Sequence, residues 1–523
     1  MYILEGILQN VYNDDMVNNV VIVPEGIKEI KEFAFLGVNA KKIVLPKTLE
    51  VIRAQAFESC TELEEINIPE SVKEIDSYAF SYCKKLKSIT IPNSIKDLSE
   101  GIFNFCYELK NINLPKFLET IGENSFIGCD SLQKLEIPES VFFIGNNAFS
   151  HCTHLKKINL PTNLIEIGGH TFQSCDSLEE ITFPNNLKKI HDNCFKDCNN
   201  LKRIKFNNNL EYIGDYAFDG CENLKSIELP NSITEIGYSA FSFNTSLESF
   251  KFSDNLKTIP CNIFEHCENL SSVKFPKNLE TIDLEAFKYC TSLKNIEFPE
   301  SVKLIGDQAF SHSGLTKIDF PKNLKTIGEF AFANCDGFEN IVLPRDLETL
   351  NPNTFYSCKN LKSVTLPQGL KSIKKRVFAD CSNLNSINIP SSIEEIRYRA
   401  FSDTGLKNIE LPDSINFLGD EVFYNNQQLE TIKLPKNLKE IPSGSFFGCS
   451  SLKEINLPEN IEKIHSSAFC YCLNLKNIIF PNKLKLIDYS SFSNCANLDK
   501  LILPNSVKNL GAYAFLNCKN LKS

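Results

Sequence analysis

Apolar residues recur along this chain at fixed spacings instead of in long runs. Around Pro92 they stand six, three and one residue before it (Leu86, Ile89, Ile91) and three and six after it (Ile95, Leu98), with Phe103 and Cys106 eleven and fourteen residues on. The same register returns at Pro115, Pro138, Pro161, Pro184 and Pro230, runs from Pro276 to Pro504, and extends upstream to Pro69, Pro46 and Pro24. Asn207 and Ser253 take the proline position in the two remaining units, which makes 22 units. The step is 23 residues, shortened to 22 between Pro24 and Pro46, Pro299 and Pro321, and Pro390 and Pro412. Phe fills the eleventh position of every unit, from Phe35 to Phe515.

The alternation before each Pro, rich in β-branched residues, predicts a short strand with one buried face. Pro has no N–H to give to a ladder, so it ends that strand. The Ile-rich stretch after it reads as a second short extended segment. The segment ending in Ala-Phe (Ala79-Phe80, Ala148-Phe149, Ala309-Phe310) has room only for a turn or one helical turn. A unit this short cannot bury its apolar face alone, so neighbours must stack with equivalent strands in parallel. Residues 20–523 are therefore expected to form one continuous solenoid, α/β-type or mostly β. Residues 1–19 depart from the repeat and read as a β-hairpin turning at Glu5-Gly6, placed to cap the first unit. At the other end the chain reaches Leu521-Lys-Ser where a next strand would begin, so the C-terminal end is expected to be uncapped and open to end-to-end association.

The unit LxxIx(I/L/F)PxxLxxIxxxxFxxC, with Ile-Leu-Glu-Gly-Ile-Leu-Gln-Asn-Val-Tyr ahead of Val20-Val-Ile-Val-Pro24, resembles the BspA-like (Treponema pallidum-type) leucine-rich repeats over essentially the whole chain. The resemblance implies a right-handed leucine-rich-repeat solenoid with a parallel sheet on its concave face. It also implies a surface protein engaged in adhesion or in protein–protein contact.

Composition narrows the partners. A formal net charge of −10 and a pI near 5.5 argue against nucleic acid, whose phosphates call for a basic face. Pro or a charge interrupts every apolar segment before it reaches the roughly 18 residues a membrane span needs, so membrane insertion is not expected. The N-terminus lacks a basic region and Glu5 breaks its apolar stretch, unlike a secretory signal. That absence and the many unpaired Cys favour the cytoplasm, whereas the resemblance favours the cell surface.

Seventeen of the 20 Cys fall three residues after the repeat Phe; Val38, Asn244, Ser313, Thr404 and Asn426 fill that position elsewhere. Such a set of small and medium residues indicates packing, since free Cys behaves as a small hydrophobe. His151-Cys152-Thr-His154 has metal-ligand spacing, but adjacent units carry no further ligands there. No GxSxG, HExxH or phosphate-binding loop occurs. The chain thus reads as non-catalytic, with no metal or cofactor.

Function is then expected on the strand's outward rows. Two residues before the Pro positions the row is polar and charge-mixed, with Lys205, Glu228, Lys251, Lys274 and Glu297 suited to a complementary charged protein surface. Val342, Ile479 and Ile502 add apolar side chains that a solvated face does not need. These eight residues are the candidate partner-binding set for a protein of unknown identity. The alternative is a cytosolic scaffold or spacer with inert faces.

Overall fold

In a computed structural model that describes residues 1–522, each repeat forms one turn, and most turns carry two short strands; before Pro299 and Pro321 the first strand is reduced to the bridge between Glu297 and Asp319, and before Pro504 it is not formed. The first strand occupies the positions four to two before the Pro. Glu65–Asn67 thus pairs in parallel with Lys42–Val44, and Asn340–Val342 with Ser363–Thr365. Its central residue points inward, as Ile43, Ile66 and Ile341 do, while its flanks face solvent. The second strand, two residues long, lies five and six after the Pro. Thr120–Ile121 pairs in parallel with Asp97–Leu98 and Phe143–Ile144, and Leu304–Ile305 with Thr281–Ile282 and Thr326–Ile327. Asn207 and Ser253 compensate for the missing Pro by bonding the preceding turn: the Asn207 amide donates to the carbonyls of Pro184 and Leu187, and the Ser253 hydroxyl to that of Ile233.

The Ala-Phe segment is a turn in every repeat, and its backbone is unusual. The residues nine and thirteen after the Pro adopt positive φ: Tyr78 and Tyr82 at 59° and 58°, Asn147 and His151 at 54° and 59°, Arg376 and Asp380 at 54° and 60°. Left-handed geometry costs a non-glycine residue about 1–2 kcal/mol. It is repaid by a third ladder, in which Tyr78, Phe80 and Tyr82 donate their N–H groups to the carbonyls of Glu100, Ile102 and Asn104 in the next turn, at 2.8, 3.0 and 2.7 Å. The second-strand ladder runs the other way, Gly122 donating back to Leu98. The two polarities oppose, so the backbone dipoles of a turn partly cancel.

The core is a set of columns. In the unit Met1–Leu256 the repeat Phe rings stack from Phe35 to Phe241 with centroids 4.7–5.7 Å apart. In the unit from Lys257 onward they stack from Phe264 to Phe515 at 5.0–5.8 Å. Beside the Phe runs the Cys column. The thiols of this column point at the carbonyl of the Phe one turn back, as Cys60 does to Phe35 at 3.1 Å, Cys106 to Phe80 at 3.2 Å and Cys358 to Phe332 at 3.1 Å. Asn244 makes the same bond to Phe218, 2.9 Å away, although its buried Oδ1 has no partner. Val38, which donates nothing, stands in the first turn, where no repeat Phe precedes it.

At the N-terminus β1 (Tyr2–Leu4) and β2 (Ile7–Asn10) pair antiparallel through Glu5 and Gly6, at φ 51° and 77°. Two successive positive φ values are what a two-residue hairpin turn with the right twist requires. β2 continues in parallel onto Glu29–Ile30, and the N–H of Val11 reaches the carbonyl of Ala34 at 2.7 Å. The hairpin thus supplies donors to the outward carbonyls of the first turn. Among the described residues no helix is long and apolar enough to cross a membrane.

Candidate interaction surface

The outward rows of the first strand are knitted by pairs between equivalent positions of successive turns. Lys42 meets Glu65 at 2.7 Å, Arg203 meets Glu180 at 2.7 Å, Lys433 meets Glu410 at 3.3 Å, and Asn113 donates to Thr90 at 3.1 Å. Exposed pairs of this kind add little stability. They do hold long side chains flat. Where the residues are short, shallow grooves open: one of about 560 Å³ at Glu65, Asn67, Ser88, Thr90, Asn111 and Asn113, and one of about 480 Å³ at Ser363, Ser386, Asn388, Asn408 and Glu410.

Lys205, Glu228 and Lys251 meet in a single groove of about 380 Å³ in the unit Met1–Leu256, where Lys251 is ion-paired with Glu228. Lys274 and Glu297 are exposed in the other unit, Glu297 bridging in parallel to Asp319. Val342 is 65% exposed, Ile479 79% and Ile502 81%. Ile479 lies beside Asn456 in the ladder, and Ile502 takes the equivalent position before Pro504. Val342 lies beside Thr365, several turns earlier in the chain, and does not join them.

Sequence reasoning missed four residues. Ile22 (64% exposed) and Val44 occupy the same row before Pro24 and Pro46, in register with each other. Phe142 and Ile165 interrupt a second regular row, four after the Pro. There Lys73 meets Glu50 at 2.8 Å, Lys96 meets Glu119 at 2.8 Å and Lys188 meets Glu211 at 2.9 Å. Carrying the register through every unit, including the first two, finds all four.

The buried thiols are not activated. Burial pushes the thiols of Cys60, Cys106 and Cys152 up to about 12, and those of Cys83, Cys175 and Cys472 well above their ordinary value, which makes them poor nucleophiles. His154 binds the carbonyl of Asp130 at 2.9 Å and its carboxylate at 3.3 Å, a local contact between turns. Among the described residues no three His, Cys, Asp or Glu side chains gather as a metal site.

Comparison with known proteins agrees with this architecture. The BspA type leucine rich repeat region matches in six overlapping copies over residues 6–133, 75–202, 119–242, 188–316, 303–430 and 394–522. Among solved structures the chain is similar to a leucine-rich repeat protein from Bacteroides ovatus, at 29% identity over 72% of this chain and 91% of that one, with a TM-score of 0.47. It is also similar to the pneumococcal vaccine antigen PcpA, at 25% identity over 64% and 79% of the two chains and a TM-score of 0.36. No curated protein matches significantly. With its repeats matched from residue 6 to residue 522, the chain belongs to the BspA type leucine rich repeat family.

Proposed function

We propose that this protein is a non-catalytic binding module that captures a protein partner on the outward rows of its strands, in the manner of an adhesin. The observation that carries this reading is the exposure of Ile479 and Ile502, at 79% and 81%, in two successive turns of a row that Asn, Thr, Lys, Glu and Asp fill everywhere else except at Ile22, Val44 and Val342. Water-facing isoleucine is unfavourable unless something covers it, and apolar anchors rimmed by polar residues mark interaction sites. The groove at Lys205, Glu228 and Lys251, with Lys274 and Glu297 in the other unit and Val342 as a further apolar point, supplies the polar contacts that set specificity. Affinity accumulates over many weak contacts.

The test is Ile479→Lys with Ile502→Lys in the full-length chain, followed by capture of partners from host extracellular matrix and cell lysates. Loss of the captured protein at unchanged thermal stability supports the reading. Capture equal to that of the unaltered chain overturns the assignment of this patch. A spacer reading is favoured by one observation: the thiols are free and nearly all buried, which suits a reducing compartment. Surface biotinylation of intact cells separates the two.

A further inference from the structure

In a repeat protein the fold dictates what recurs, so residues that break the pattern in adjacent turns are where a specific site is built. The corner after the second strand is acidic or glycine-rich through most of the array; seven to nine residues after the Pro it reads Gly122-Glu-Asn, Gly214-Asp-Tyr and Gly306-Asp-Gln. In two adjacent turns it reads Lys374-Lys375-Arg376 and Arg397-Tyr398-Arg399. Three of the six Arg in the whole chain lie in this cluster.

Lys374, Lys375, Arg397 and Tyr398 of these two corners, with Phe417 and Asp420, line a cleft of about 400 Å³. The Arg397 guanidinium sits 4.7 Å from the centre of the Phe417 ring. Tyr398 is ringed by cations: Lys375 Nζ and Arg376 Cζ each 5.8 Å from its centroid, and Arg399 Cζ 5.3 Å away. Part of the charge is already satisfied. Glu395 accepts from Lys374 at 3.0 Å and from Arg397 at 2.5 Å, and Glu421 pairs with Arg399. Lys375 and Arg376 have no carboxylate within 4.0 Å among the described residues, so two cations beside an aromatic ring remain uncommitted.

We propose that this cleft binds an acidic sugar, a pyranose ring carrying a carboxylate or a sulfate ester. Its volume is of the size that holds a small ligand. Phe417, 43% exposed, offers flat apolar surface to the C–H face of the sugar, with the Tyr398 ring beside it in the lining. Lys375, the uncommitted cation of the lining, meets its anionic substituent as a point charge, and Arg376, outside the lining but 5.8 Å from the Tyr398 ring, adds positive potential beside it. A peptide fits less well. The surrounding backbone is spent on cross-turn bonds, Arg397 to Ile373 at 2.9 Å, Gly419 to Ile396 at 2.8 Å and Arg376 to Tyr398 at 3.0 Å, so no strand edge is free for main-chain pairing. A long polyanion fits worse, because the same corner carries Asp307 and Glu329 in preceding turns and Asp420 in the next. The anion must be short. This site is separate from Ile479 and Ile502 and does not rest on their role.

Titration calorimetry and saturation-transfer NMR on the full chain test it with five probes: methyl glucuronide, methyl glucoside 6-sulfate, neutral methyl glucoside, inorganic sulfate and a tyrosine-phosphorylated peptide. Binding of the glucuronide, the sulfated glucoside or both, at least tenfold tighter than the neutral glucoside and sulfate, supports the proposal and identifies the anionic group. Lys375→Gln with Arg376→Gln is expected to weaken it at least tenfold, as is Tyr398→Ala or, should that variant misfold, Tyr398→Leu. Ile479→Lys and the distant Lys317→Gln are expected to leave it unchanged. Equal binding of the neutral glucoside, binding of sulfate as tight as that of the sugars, failure of both acidic sugars, tighter binding of a tyrosine-phosphorylated peptide, or folded variants that bind normally would each overturn it.

Discussion

Replacing Phe149 by Ala removes one ring from the middle of a column. The side chain is fully buried, and its ring lies 5.2 Å from Phe126 and 5.5 Å from Phe172, nearly parallel to both at 2° and 4°. Deleting a buried Phe side chain costs about 3–5 kcal/mol, and each aromatic pair adds about 0.5–1.5 kcal/mol beyond its buried area. Two pairs are lost, so the change belongs at the upper end, about 5 kcal/mol. Phe149→Leu keeps most of the volume and loses mainly the two ring contacts, an expected cost of about 1–3 kcal/mol. Urea unfolding of the full chain measures both, and native-state hydrogen exchange locates the damage. In a one-dimensional stack the amides of Phe126 and Phe149, bonded to the carbonyls of Ala148 and Thr171, lose protection first, and the loss decays over neighbouring turns. A Phe149→Leu chain as stable as the unaltered one would refute the stacking contribution, and equal costs for Ala and Leu would refute the cavity contribution. Protection lost evenly over Met1–Leu256 would refute the nearest-neighbour account.

Three further outcomes follow from titration and burial. Among the described residues Cys261 and Cys518 are the two thiols that are not buried, so a thiol reagent at neutral pH should label these two rapidly and the other 18 slowly or only on unfolding, as mass spectrometry of the labelled peptides reports. The same burial raises the thiol pKa from an ordinary 9.0 to about 12 at Cys60, Cys106 and Cys152; the unfolded chain therefore releases protons that the folded chain retains, and stability is expected to fall as pH rises from about 9 to 12. At Glu395 burial opposes the charge, but the Ser372 hydroxyl, Lys374 and Arg397 outweigh it and hold the carboxyl down to about 2. Its contribution is present above the ordinary value of 4.5 and lost as pH falls toward 2. Hydrogen exchange around Arg397 should report that loss in the unaltered chain and not in Glu395→Gln.

Much of this protein is legible in the order of its residues. A Pro that ends each strand, apolar residues at fixed offsets from it and Phe in every unit leave stacking as the only way to bury the apolar positions, and the period of two before each Pro already assigns Ile66 inward and Asn67 outward. The exposure of Ile479, Ile502 and Val342 followed from the same register. The left-handed pairs escaped it. Glycine, the usual sign of positive φ, is mostly absent there; Tyr78, His151 and Arg376 accept the geometry only because a cross-turn hydrogen bond holds it. The Cys column read as a matter of size, and the stacked turns add a shared bond that Asn244 reproduces from the same position, whereas Ser313 and Thr404 bond other partners and the Asn426 amide nitrogen has none. The basic cleft likewise depends on contact across turns. Lys375 and Arg397 are 22 residues apart in the chain, and only stacking sets them around one ring pair, because a side chain in a solenoid has its partners one turn away and not beside it in sequence.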